Sequence, residues 1–112
     1  MNEIPKVVQS CHETLLWIIP QLDKFPRNRR FTLGDRIETG LLDVLELLVQ
    51  ATYARKNQTI LSKANNKLAV VRHLWRLAFE LKTIAMKQYE YGAKMLVEIG
   101  KQIGGWLKHK VD

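Results

Sequence analysis

Proline occurs at positions 5, 20 and 26 and nowhere in the remaining residues to position 112. Apolar residues recur three and four positions apart along nearly all of that proline-free stretch, and runs of β-branched residues in two-residue alternation are absent. Proline breaks a helix interior by removing a donor and clashing with the preceding turn, so its absence permits long helices. The three-to-four spacing requires them. The expected fold class is therefore all-α, a single domain over residues 1–112.

Four helices are expected. The first begins near Pro5, a residue tolerated in a first turn, and carries Val8, Cys11, Leu15, Ile18 and Leu22 on one face. Pro20 lies inside this pattern and is expected to kink the helix without ending it. Phe25 to Phe31 reads as a loop. Thr32 then reads as an N-cap, with Asp35 in the position of a capping-box acid. The second helix is expected to run to about Arg55 on a stripe of Leu33, Ile37, Leu41, Val44, Leu48 and Ala51, with a further apolar line through Leu42, Leu45, Val49 and Tyr53. After a polar turn at Lys56-Asn57-Gln58-Thr59, the third helix spans about 60 to 84. It buries Leu61, Ala64, Leu68, Val71, Trp75 and Ala78 and shows a second face of Val70, Leu74, Leu77 and Leu81. The fourth spans about 88 to 109 on Tyr91, Met95, Ile99, Ile103 and Trp106. Short connections between such helices give an antiparallel up-down-up-down four-helix bundle. Each helix of a lone bundle needs one apolar stripe, so the second stripes on two helices point to self-association, with Val70, Leu74, Leu77 and Leu81 as the candidate oligomer interface.

Charge is the next constraint. The chain carries a net +7. Its first 26 residues are slightly acidic, so the excess sits elsewhere: in Arg27, Arg29 and Arg30, and in the segment from Gln58 to Gln88, where Lys63, Lys67, Arg72, Arg76, Lys82 and Lys87 face the single acid Glu80. The expectation is that like charge on the third helix goes unrelieved by acids one turn away. Arg72 and Arg76, four residues apart, share a helix face and form a guanidinium pair suited to phosphate or carboxylate. A localised basic surface points to a polyanionic or acidic partner.

Other chemistry finds little support. His12, His73 and His109 are scattered, no glycine loop resembles a phosphate cradle, and the Glu-x-x-His pairs of a di-iron bundle are missing. One cysteine, Cys11, excludes an internal disulfide and a cysteine-built zinc site. No enzyme activity, cofactor, metal site or small-molecule substrate is expected. The N-terminus lacks a signal-peptide pattern and no stretch reaches the ~18 apolar residues of a membrane span, so a cytoplasmic protein without a membrane partner is expected. Gly100 and Gly104, followed by Gly105 and Trp106, suggest a place where a second helix approaches closely.

Several segments resemble a known family. Phe25-Pro26-Arg27, Phe31-Thr32-Leu33-Gly34 and Leu41 to Leu48 are similar to the accessory variability determinant (Avd) proteins of diversity-generating retroelements. So are Leu74-Trp75-Arg76-Leu77-Ala78, Lys87-Gln88-Tyr89-Glu90 and, most specifically, Glu98-Ile99-Gly100-Lys101-Gln102-Ile103-Gly104-Gly105-Trp106. A related bundle family, encoded in intervening sequences of bacterial ribosomal RNA genes, is similar around the Phe-Pro pair, but its Ser-Ile-Pro-Ser-Asn-like segment is absent. The resemblance to Avd implies a basic homopentamer that binds a reverse transcriptase and nucleic acid, chiefly template RNA, with DNA or a hybrid duplex as further partners. It implies support of error-prone cDNA synthesis and retrohoming without catalysis. Arg72 and Arg76 match basic positions of the family's third helix and carry the expected partner contact, with Lys63, Lys67 and Arg27, Arg29 and Arg30 as weaker candidates. The alternatives are a nucleic-acid-binding bundle of the ribosomal intervening-sequence type and a purely structural helical oligomer.

Overall fold

The computed structural model describes residues 4–109, and these form an all-α structure with no strand among them. Four long helices dominate: α1 (Lys6–Asp23), α3 (Asp35–Tyr53), α4 (Gln58–Glu80) and α5 (Met86–Lys108). Between α1 and α3 lie a single turn, α2 (Arg27–Arg29), and a π-helical stretch, Arg30–Gly34. Each long helix packs on two neighbours, in the ring order α1, α3, α4, α5 and back to α1. Contacts fix their registers. Gly40 and Asp43 on α3 meet Val71 and Lys67 on α4, and Trp75 and Leu68 on α4 meet Gly92 and Gly100 on α5. Ser10 and Trp17 on α1 meet Gln102 and Tyr91 on α5. In these three pairs the numbers rise on one helix as they fall on the other. The result is a rod of 46 × 22 × 22 Å.

The expected stripes form the core on three helices. Ile37, Leu41, Val44, Leu48 and Ala51 of α3 are buried, as are Leu61, Ala64, Leu68, Val71, Trp75 and Ala78 of α4. Leu33 is half-buried against this core. On α1, Val7, Val8, Cys11, Thr14, Leu15, Ile18 and Leu22 face inward. Pro20 stays inside α1. It removes the donor for the Leu16 carbonyl, and both residues are exposed, so water can serve that oxygen.

Four expectations are corrected. The segment after Phe25 is helical from Arg27 onward. Pro26, extended at φ −54° and ψ 149°, leads into α2, where the Arg29 and Arg30 amides bond to its carbonyl at 2.8 and 2.9 Å. Thr32 is then inside a continuous helical path and caps nothing. Its hydroxyl points back at the Asn28 and Arg29 carbonyls, at 3.3 and 3.4 Å. On α5 the inward face begins with Gly92 and Leu96, not Tyr91 and Met95, and Tyr91 is 53% exposed. Gly92 carries no side chain and so adds nothing to an apolar count, yet it fixes the phase. A Cβ there would stand 2.7 Å from the Trp75 ring. Finally, α4 ends at Glu80, not near 84, because Lys82 takes a left-handed conformation, φ 65°. The Thr83 amide returns to Ala78 and that of Lys82 to Phe79, the pairing of a Schellman stop.

Candidate partner and nucleic-acid interface

The cations of α4 divide between two flanks of the helix. Lys67 turns toward α3, where its Nζ lies 3.0 Å from an Asp43 carboxylate oxygen. Lys63, one turn earlier, lies on that same flank by helical spacing. Arg72 and Arg76 turn toward α5 and line, with His73, Ala69, Tyr89 and Ala93, a cleft of about 370 Å³. Half of the expected like-charge excess is relieved. The Arg76 Nε donates to Glu80 at 2.8 Å, one helical turn on, and this hydrogen bond and the carboxylate's charge hold the guanidinium pKa above its usual value. Arg72 has no ion pair among the described residues. It leans across the cleft, so that a Cβ on Gly100 would lie 4.0 Å from its Nη1.

The floor of the cleft explains itself from packing. Trp75 is fully buried, its Nε1 donating to the Tyr89 carbonyl at 2.9 Å. Tyr89 in turn stacks on Phe79 with ring centroids 4.5 Å apart. These rings are consumed by the fold, and the lining that remains is Ala69, Ala93, Leu96, Val97, His73 and the two guanidiniums.

Arg27, Arg29 and Arg30 do not form one free patch. Arg27 is exposed and Arg29 half-buried. Arg30 is structural: its Nη1 donates to the Asp23 carbonyl at the end of α1, 3.1 Å away, and its guanidinium covers the Phe31 ring at 5.0 Å. The close helix contact expected at Gly100 and Gly104 is corrected as well. Gly100 meets the Leu68 side chain at an ordinary 3.5 Å, and Gly104 meets nothing within 4 Å. Trp106 is half-buried against the core. The tight approaches are at Gly92 and at Gly40, where a Cβ would stand 2.7 Å from Val71.

The candidate interface residues are apolar and outside the core. Val70 is 58% exposed, Leu77 39% and Leu81 42%, while Leu74 is half-buried and packs on the core. Val70 and Leu74 border α3 at Arg36, Gly40 and Asp43. Leu42 and Val49, also exposed, lie on the other flank of α3 by 100° helical spacing, so the two apolar lines do not merge. Cys11 is fully buried, and burial pushes its thiol pKa up to about 12. Among the described residues no cluster of His, Cys, Asp or Glu is placed to hold a metal ion, and no helix is long and apolar enough to cross a membrane.

A family model described as bAvd-like matches residues 6–110, a span that takes in all four long helices. The chain belongs to the bAvd-like family. Searches of curated proteins and of solved structures each found no match. The family agrees with the resemblance read from the Ile-Gly-x-x-x-Gly-Gly-Trp block of α5 and is of an accessory, non-catalytic kind. Two partners of the basic helix had not been singled out from sequence. Glu80 was legible, four residues beyond Arg76. Asp43 was not, because only the packing of α3 on α4 brings it to Lys67.

Proposed function

We propose that this bAvd-like chain is a non-catalytic accessory protein of a diversity-generating retroelement. It is a basic homopentameric adaptor, built from antiparallel up-down-up-down bundles, that binds the reverse transcriptase and template RNA and supports mutagenic cDNA synthesis and retrohoming in the cytoplasm. Family membership over residues 6–110 carries this reading. The geometry supplies a place for the polymerase contact. Arg72 and Arg76 line a cleft between α4 and α5, and a free guanidinium there suits a carboxylate or phosphate in fork geometry.

The separated apolar lines favour a ring. A two-fold dimer needs one self-complementary patch, whereas a closed ring of more subunits joins two different surfaces head to tail. Val70, Leu77 and Leu81 offer one such surface, and Leu42 and Val49 the other.

The test is co-purification with the reverse transcriptase of a diversity-generating retroelement, expressed together with this chain. Wild type retains it, and the Arg72→Ala/Arg76→Ala double variant loses about tenfold or more of the capture at unchanged helical circular dichroism. Light scattering reads the oligomer, and Leu77→Glu is expected to dissociate it. Leu77 serves better than Leu74, which supports the core. A folded double variant with full capture, or a wild-type monomer at micromolar concentration, contradicts the corresponding part of the proposal.

A further inference from the structure

Among the described residues, one end of the rod carries cations and no carboxylates. The start of α1, the turn from α3 to α4 and the end of α5 meet there. The Gln102 amide donates to Ser10 Oγ at 3.1 Å, and Gly100 packs on Leu68, which places the first turns of α4 beside the last turns of α5. Lys6, Arg55, Lys56 and Lys108 are all exposed at this end, and Lys63 is exposed about 8 Å further in along α4. None of them is in an ion pair among the described residues, where the two pairs are Lys67 with Asp43 and Arg76 with Glu80.

The nearest acids along the helices are Glu13 on α1, Glu46 on α3, Glu98 on α5 and, at the far end of α4, Glu80. At ~1.5 Å rise per residue each lies about 10 Å or more from the end. That is about one Debye length at 0.1 M salt, so they do little to neutralise it. In the sequence outside the described residues Lys110 stands against Glu3 and Asp112, and the positive excess survives them. At the last position of α3 stands Tyr53, 67% exposed and next to Arg55 and Lys56.

We infer that this end is a sequence-independent binding surface for single-stranded RNA, distinct from the Arg72–Arg76 cleft. The cations take the phosphates and the Tyr53 ring stacks a base. The expectation of RNA over other polyanions rests on the adaptor reading above and on two features of the surface. An exposed aromatic among cations is the arrangement that holds single strands. The cations also come from three separate segments across a blunt face about 22 Å wide. Docking on anionic lipid instead uses one amphipathic helix with an apolar insertion face.

The experiment is fluorescence-anisotropy titration of a labelled 20-nucleotide polyuridine RNA at four salt concentrations, beside reverse-transcriptase capture. Each phosphate neutralised contributes a slope of about −0.7 in log affinity against log salt for single strands. Lys6→Gln/Arg55→Gln/Lys56→Gln is expected to make that slope shallower by about 2 and to weaken binding at low salt at least tenfold. Tyr53→Ala weakens it severalfold. Undiminished RNA affinity in a folded triple variant overturns the inference, while capture of the enzyme by wild type keeps the adaptor reading. Wild type that binds neither RNA nor enzyme overturns both. Wild type that binds phosphatidylserine vesicles but not RNA overturns the inference in favour of a membrane surface.

Discussion

The two ends of the bundle are built on opposite terms. Where α1 passes to α3 and α4 to α5, side chains are spent on one another. Trp17 meets Trp75 edge-on at 6.1 Å and Tyr91 at 4.8 Å, Phe79 stacks on Tyr89, and Arg30 ties back to the end of α1. Cations and acids are interleaved there: Lys24, Arg27, Arg36, Lys82 and Lys87 among Asp23, Asp35, Glu38, Glu80 and Glu90. At the other end the surface holds free cations, a projecting tyrosine, and Gly104 and Gly105 with no neighbour within 4 Å. Rigid aromatic contacts fix how the helices sit at the first end. The second keeps its chemistry outward, where a partner can use it.

The sharpest way to break this comparison is to disturb the locked end. Gly92→Val puts a branched side chain against a buried indole that also holds a hydrogen bond and cannot yield. Overpacking of this kind costs about 1–3 kcal/mol, and the rigid ring places this case near the top of that range. Thermal melting followed by circular dichroism should show a fall of ten degrees or more. An unchanged melting temperature means that the Trp75 contact is not what holds α5 on α4.

The open end is open only at its surface. Beneath it Cys11 is fully buried, with its pKa raised by desolvation from 9.0 to about 12. The folded state therefore prefers the thiol. Its contribution is complete below pH 9 and is lost as pH rises toward 12, because the unfolded chain ionises first. At pH 10 the loss is about 1.4 kcal/mol, one pKa unit's worth. Denaturant midpoints should fall more steeply between pH 8 and 10 for wild type than for Cys11→Ala, whose cavity cost is the same at every pH. Parallel slopes mean that water reaches the thiol.

The ends differed in how far sequence alone could describe them. The stripes of α3 and α4 were legible because each turn buries a side chain, so the 3.6-residue period is written in apolar residues. The first half of α5 was misread because its decisive residue, Gly92, has no side chain to count. Residues 25–31 read as a loop because Pro26 and three arginines look like a break. Yet proline before a first turn is compatible with a helix, and the π-helical turn, with the Asp35 amide on the Arg30 carbonyl, absorbs the extra residue. The paired glycines of α5 suggested close contact, whereas the glycines in tight contact are Gly40 and Gly92. The cationic end was invisible for another reason. Lys6, Arg55 and Lys108 are far apart in the chain, and only the register of four helices assembles them.

Lys82 offers a smaller test at the locked end. A side chain in the left-handed region costs roughly 1 kcal/mol, which glycine escapes. Lys82→Gly should raise stability by somewhat less than that, since glycine also loosens the unfolded chain. It leaves the Thr83 hydroxyl bond to Ala78, 2.7 Å, in place. A loss of stability would mean that the lysine side chain contributes a contact larger than the strain.

The smallest effect belongs to Gly104, and it bears on both ends at once. Within the subunit a Cβ at this position meets nothing, so Gly104→Ala gains helix propensity of about 1 kcal/mol at most. A ring of subunits adds a second condition. If another copy covers this flank of α5, the methyl group intrudes on that contact and the assembly loosens even as the isolated bundle tightens. Melting at two protein concentrations separates the cases. A rise in melting temperature that is the same at both concentrations means that Gly104 is free surface, in keeping with an end left open for RNA. A fall that grows on dilution, with smaller species in light scattering, means that the glycine is kept bare for a neighbouring subunit, and the free surface of that end then shrinks to Lys6, Tyr53, Arg55 and Lys56.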